Sequence, residues 1–233
     1  SLLTRMVMQR ARSFLSVLTT RMDHSKKISI IQLLRLKQLT DELFWSVLRT
    51  ACFDNENLPL VAGQIEDYQF WPHWDASDTS NSILVEPDLF IRFQAFDLII
   101  EAKFSDNSGQ YSQQWKNEIT AYSNEYGNEK PVYFIAVGGN AEKATEIIAL
   151  SDGVAVNKCT WLSVLIQVSK MRDEYEAPPM IPNSLSSVLR ILNLTELAFN
   201  INGVYNIHWF DGIKTAKPLI SPYSFTTFKS FFR

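Results

Sequence analysis

The chain has 233 residues, 46% hydrophobic and 20% charged, as in an ordinary soluble globular protein with one large domain or a domain plus an addition. Two distant cysteines, Cys52 and Cys159, argue against a disulfide scaffold or zinc site and suit a reducing cytoplasm, and no apolar run approaches the ~20 residues of a membrane span. Net charge is −3, which excludes a wholly basic DNA-coating protein. Residues 1–50, however, carry nine Lys or Arg against three Asp or Glu, leaving an acidic remainder.

In chain order, residues 1–50 read as helix. Leu15, Leu18, Met22, Ile30, Leu33, Leu34 and Leu36 recur at near-helical spacing between basic residues, with a break at HSKK (24–27). The arginines that interrupt residues 1–24 rule out a signal-peptide core. This basic flank fits either a nucleic-acid-facing surface or a solvated helix face. A further helix ends in TDELFWSVLRTACF (40–53), stopped by Pro59.

An aromatic strand containing YQFWPHW follows, and DASDTSNS (75–82) is a loop of turn formers. ILVEPDLFIRF and FDLIIEAKF read as a strand pair. Residues 109–127 form a helix whose Tyr111, Trp115, Ile119 and Tyr122 line one face, with Gly127 as its stop. PVYFIAVGG is a buried strand, and its Gly138-Gly139 reads as a plain strand-to-helix turn. AEKATEIIAL (141–150) is a helix, GVAVNKCTW a last strand, and residues 160–175 and 184–198 helices before an aromatic tail. The expected fold is α/β, a mixed central sheet flanked by helices. Its parts are a basic helical extension (1–39), a core (40–165), and a helical and aromatic addition packed on it (166–233).

The two strands around Gln94-Ala95 carry the chemistry. A turn centred there pairs residues whose numbers sum to 189, so Asp88 opposes Glu101, Leu89 opposes Ile100 and Glu86 faces Lys103. Opposed residues point to one face, about 4.5–5.5 Å apart at Cβ. The apolar pairs then share one face, and Asp88, Glu101 and Lys103 the other. Gln-Ala is not a tight-turn pair, which favours a longer loop. Asp97 falls opposite Arg92, as a salt bridge. Two opposed carboxylates raise each other's pKa, and something must offset the cost. Either a hard cation such as Mg²⁺ does so or Lys103 closes a structural salt-bridged cluster.

Pro87-Asp88, twelve residues, then Glu101-Ala102-Lys103 resembles the PD-(D/E)XK nuclease superfamily over roughly residues 40–165. The following helix with Gln114-Trp115 and Glu118, the strand PVYFIAV, and WPHW ahead of the motif extend the likeness. The resemblance implies a restriction-endonuclease-like core with helical additions at both ends. It implies that Asp88 and Glu101 hold Mg²⁺ (Mn²⁺ substituting), with the Ala102 carbonyl and Glu42 as further ligands. Lys103 would orient the attacking water or stabilise developing charge, and Gln114 would hydrogen-bond the nucleophile or the backbone.

The implied activity is DNA phosphodiester hydrolysis, RNA remaining open, in a cytoplasmic restriction-like or mobile-element defence endonuclease. No membrane partner is implied, and a homodimer would suit cuts on two strands. The rival reading is a non-catalytic nucleic-acid-binding or assembly subunit of the same fold. Each residue also has a plainer role: Glu42 as a first-turn helix acid, Gln114 as a polar residue on a half-exposed face. The scattered His24, His73 and His208 do not suggest a histidine-based site, and no Walker loop, dinucleotide glycine pattern or Gly-X-Ser-X-Gly elbow is present.

Overall fold

The computed structural model describes residues 39–81, 83–103, 109–127, 129–148, 153–177 and 183–205. The helical readings for residues 1–38, the aromatic tail after residue 205, and His24 and His208 lie outside them. The first described helix, α1 (Asp41–Ala51), starts where Thr40 accepts the Leu43 N–H. It carries Asp41 and Glu42 in its first turn and Arg49 in its last, the arrangement the helix dipole favours. Strands follow at Ile65–Phe70 (β1), Trp74–Asp75 (β2), Leu84–Val85 (β3), Leu89–Phe93 (β4) and Asp97–Ala102 (β5). Then come α2 (Ser112–Tyr126), β6 (Val132–Val137), β7 (Glu146–Ile148), β8 (Val154–Cys159), α3 (Trp161–Glu176) and α4 (Asn183–Ile201).

Six strands make one mixed sheet in the order β1-β4-β5-β6-β8-β7, and β2 pairs with β3 in a separate two-stranded ribbon. Strands β5, β6 and β8 run parallel, while β1, β4 and β7 are antiparallel to their neighbours. Parallel strands in mid-sheet need cover on both faces, and they have it. Leu89, Ile91, Leu98, Ile100, Ile135 and Val137 share one core with residues of α1, α3 and α4. Phe90, Ile99, Phe134, Ala136 and Val156 share a second with Trp115, Ile119 and Tyr122 of α2. The result is a mixed sheet with helices on both faces, an α/β fold.

Two-residue alternation explains this division, with one correction to the sequence reading. The acidic face of β4–β5 is not purely polar. It is the α2 core, and the acids sit at its end. A second correction concerns the turn: Phe93 N–H donates to the Phe96 carbonyl at 2.9 Å, so the chain reverses over Gln94 and Ala95 alone. The run ILVEPDLFIRF is two strands rather than one, because Leu84–Val85 pairs with β2 while Leu89–Phe93 joins the main sheet.

The helix expected over 141–150 is also wrong. Its residues 146–148 form β7 on the edge of β8, with Ile148 buried in the α2 core. The ladder to β8 outweighs the modest helical preference of Ala, Glu and Lys. Gly138-Gly139 therefore leads into an edge strand.

Gly138 shows why the end of β6 needs glycine. Its φ is +71°, and an added Cβ would stand 3.0 Å from the Lys103 carbonyl and 3.1 Å from the Trp161 ring. Trp161 itself donates its indole N–H to that carbonyl at 2.6 Å. Gly138→Ala is therefore expected to lower unfolding stability by about 1–3 kcal/mol, measurable by urea titration; an unchanged midpoint would contradict this packing.

Candidate functional site

The register between β4 and β5 is Leu89↔Ile100, Phe90↔Ile99, Ile91↔Leu98 and Arg92↔Asp97. Every pair sums to 189, so the next row sets Asp88 opposite Glu101. At the other end of this face Arg92 Nε meets the fully buried Asp97 at 3.2 Å, the expected ion pair, and the Tyr122 hydroxyl donates to Asp97 at 3.0 Å. Burial and the Asp97 charge raise the Tyr122 pKa.

Asp88 and Glu101 are buried, at 4% and 3% exposure. Asp88 Oδ2 accepts the Ala102 N–H at 2.8 Å, and Oδ1 accepts the Trp71 indole N–H at 3.3 Å. Glu101 Oε1 meets Lys103 Nζ at 2.6 Å. The same ammonium donates to Gln114 Oε1 at 2.9 Å, and Gln114 Nε2 donates to Glu118 Oε1 at 3.0 Å. Gln114 and Glu118 are four residues apart on α2, hence on one helix face, turned toward the sheet. Gln114 thus holds Lys103, a role more specific than a half-exposed polar residue. Glu86 meets His73 at 3.5 Å rather than Lys103.

Glu42 is not part of this group. It is exposed in the first turn of α1, and its neighbour Asp41 accepts the Ile65 N–H. Ile65 pairs with Phe93, four residues along β4 from Leu89 and so roughly 13 Å away at ~3.3 Å per residue. The structure therefore leaves Glu42 near the opposite end of the sheet. Ala102 sits beside the site through its backbone, its N–H fixed on Asp88.

Three residues here have roles not read from sequence. Gln110 donates to the carbonyls of Glu101 (3.3 Å) and Gly138 (3.1 Å) and accepts the Trp115 indole N–H at 3.0 Å, tying the start of α2 to the ends of β5 and β6. Trp71 stands on Asp88 with φ +50°, a conformation that costs a bulky residue on the order of 1–3 kcal/mol. Glu118, 1% exposed, has an Oε2 atom without a hydrogen-bond donor. Of the three, only Glu118 left a signal, its helical spacing from Gln114.

Burial above all, then the negative charges of Glu101 and Asp88, hold the Glu118 carboxyl well above the usual carboxylate range; Gln114 acts weakly the other way. The Glu118 carboxyl therefore keeps its proton to higher pH than a free glutamate does.

The candidate donor set is hard oxygen from the carboxylates of Asp88 and Glu101, with Lys103 on Glu101. That suits a divalent cation. Among the described residues no three His, Cys, Asp or Glu side chains form a ready-made cation cage. Mg²⁺ is commonly held by one or two carboxylates with water and substrate phosphate completing its shell, so the pair Asp88 and Glu101 fits it. Both cysteines are buried free thiols, and among the described residues no helix is long and apolar enough to cross a membrane. No protein-family model and no curated protein matches the chain.

The raised Glu118 pKa has a sign that can be checked. The folded state holds this proton at pH values where the unfolded chain, near 4.5, has released it, so stability is lost as pH rises through the folded value. In cation-free buffer, Glu118→Gln should gain on the wild type as pH rises above about 4.5. Parallel urea-unfolding profiles for the two proteins would contradict a proton on Glu118.

Proposed function

We propose that the chain is a Mg²⁺-dependent endonuclease that hydrolyses DNA phosphodiester bonds, with a PD-(D/E)XK, restriction-endonuclease-like core. The observation that carries this reading is the row formed by Asp88 and Glu101 on adjacent antiparallel strands, with Lys103 on the same face and its ammonium beside Glu101. That row supports reading Pro87-Asp88 and Glu101-Ala102-Lys103 as one motif. The mixed sheet with helices on both faces is compatible with such a core.

Asp88 and Glu101 would hold the cation. When bound, the ion lowers the pKa of a coordinated water and offsets charge on the phosphate. Lys103 is a compact cation with three donors, two of them on Glu101 and Gln114 in this state. Its ammonium is partly exposed and suited to a phosphate oxygen or to the attacking water. Gln114 orients it: Glu118 accepts from the Gln114 amide NH₂, which turns the amide oxygen toward Lys103. Gln114 acts by positioning Lys103 rather than by touching the nucleophile. The excess of basic residues in the first 50 supports contact with a polyanionic backbone.

With supercoiled plasmid and Mg²⁺, the wild type should produce nicked or linear DNA, while Glu101→Ala and Lys103→Ala each lose roughly 100-fold or more in rate. Equal cutting by all three proteins would overturn the proposal. Salt-sensitive DNA binding without cleavage under Mg²⁺ or Mn²⁺ would favour a non-catalytic binding subunit.

A further inference from the structure

The β1–β4 ladder runs to Phe70↔Leu89, and the β4–β5 ladder to Leu89↔Ile100. One row further on, Asp88 lies between Trp71 on one side and Glu101 on the other. Trp71 N–H continues the first ladder by donating to the Asp88 carbonyl at 3.3 Å, and its indole N–H reaches Asp88 Oδ1 at 3.3 Å. Both N–H groups of one residue therefore fall on one aspartate.

The backbone that achieves this is unfavourable twice over. Trp71 has φ +50°, in the left-handed region, and it precedes Pro72, a neighbour that pushes a residue toward extended conformations. Phe70 stacks obliquely on its ring, with centroids 6.0 Å apart. Such a conformation persists where surrounding contacts over-determine it, and these cluster at functional positions. Here the contacts are those to Asp88.

We propose that Trp71 is a positioning residue that sets the Asp88 carboxylate for cation binding, an inference that rests on the cation reading above. The carboxylate accepts the indole N–H on Oδ1 and the Ala102 N–H on Oδ2. The two donors come from opposite flanks of Asp88 and oppose rotation of its carboxylate plane. A ligand held in this way loses little freedom when a cation arrives. Partners of this kind typically contribute about 10–100-fold to metal affinity.

The test is isothermal titration of the full chain with MnCl₂, with thermal unfolding measured in cation-free buffer alongside. Trp71→Phe keeps an aromatic ring and removes the indole donor. Trp71→Gly removes the donor and relieves the left-handed strain. Both should bind Mn²⁺ at least about ten-fold more weakly than the wild type, with Asp88→Ala abolishing binding. Trp71→Gly should do so without loss of thermal stability greater than that of Trp71→Phe, which separates ligand positioning from packing. Wild-type affinity in either Trp71 variant, while Asp88→Ala still abolishes binding, would overturn the proposal and leave the cation reading standing. Absence of Mn²⁺ binding by the wild type would overturn both.

Discussion

The register of β4 against β5 is the constraint on which the site depends. Both faces of this hairpin are apolar, Leu89 with Ile100 on one side and Phe90 with Ile99 on the other. Hydrophobic alternation alone therefore discriminates weakly between this pairing and one slipped by a residue. The polar rows at the two ends do discriminate. A slip would part Arg92 from Asp97, a fully buried carboxylate, and would take Asp88 out of line with Glu101. The reversal over Gln94 and Ala95, closed by the Phe93 N–H on Phe96, fixes the same register from the turn. The row of Asp88 and Glu101 is thus held by features at the far end of the hairpin.

Placing acids together in a buried row carries a cost, and the surroundings offset it group by group. Asp88 takes N–H donors from two flanks, and Glu101 takes the Lys103 ammonium. Burial beside its charged neighbours holds the Glu118 carboxyl well above the usual carboxylate range. An all-apolar end to this sheet would be the more stable solution. It instead retains three carboxylates, a lysine, a glutamine and a tryptophan in a left-handed conformation, a concentration of polar and strained groups consistent with the proposed site.

Much of this was readable from the amino-acid order. The number sum of 189 placed Asp88 against Glu101, and Arg92 against Asp97, because strand pairing in a hairpin is arithmetic once the turn centre is known. Gln114 was singled out by the family resemblance, and Glu118 lies one helical turn beyond it, but their contacts with Lys103 and with each other were not read from the sequence. What escaped the sequence depends on long-range placement. Glu42 has the right chemistry, but α1 enters the fold near Ile65, at the other end of β4. Residues 146–148 look helical by composition and become an edge strand because β8 offers them a ladder. Trp71 opposes Asp88 through the β1–β4 pairing, whose register shifts between Ile65 and Asp67, and no local pattern announces that.

Asp88 and Glu101 are proposed as a cation site and not merely as a structural cluster closed by Lys103. The most direct test is a crystal soaked in MnCl₂ and measured at a wavelength where manganese scatters anomalously. A cation site there should show an anomalous peak in contact with both carboxylates. A fully soaked crystal with no peak there, and Lys103 Nζ still seated on Glu101, would contradict it.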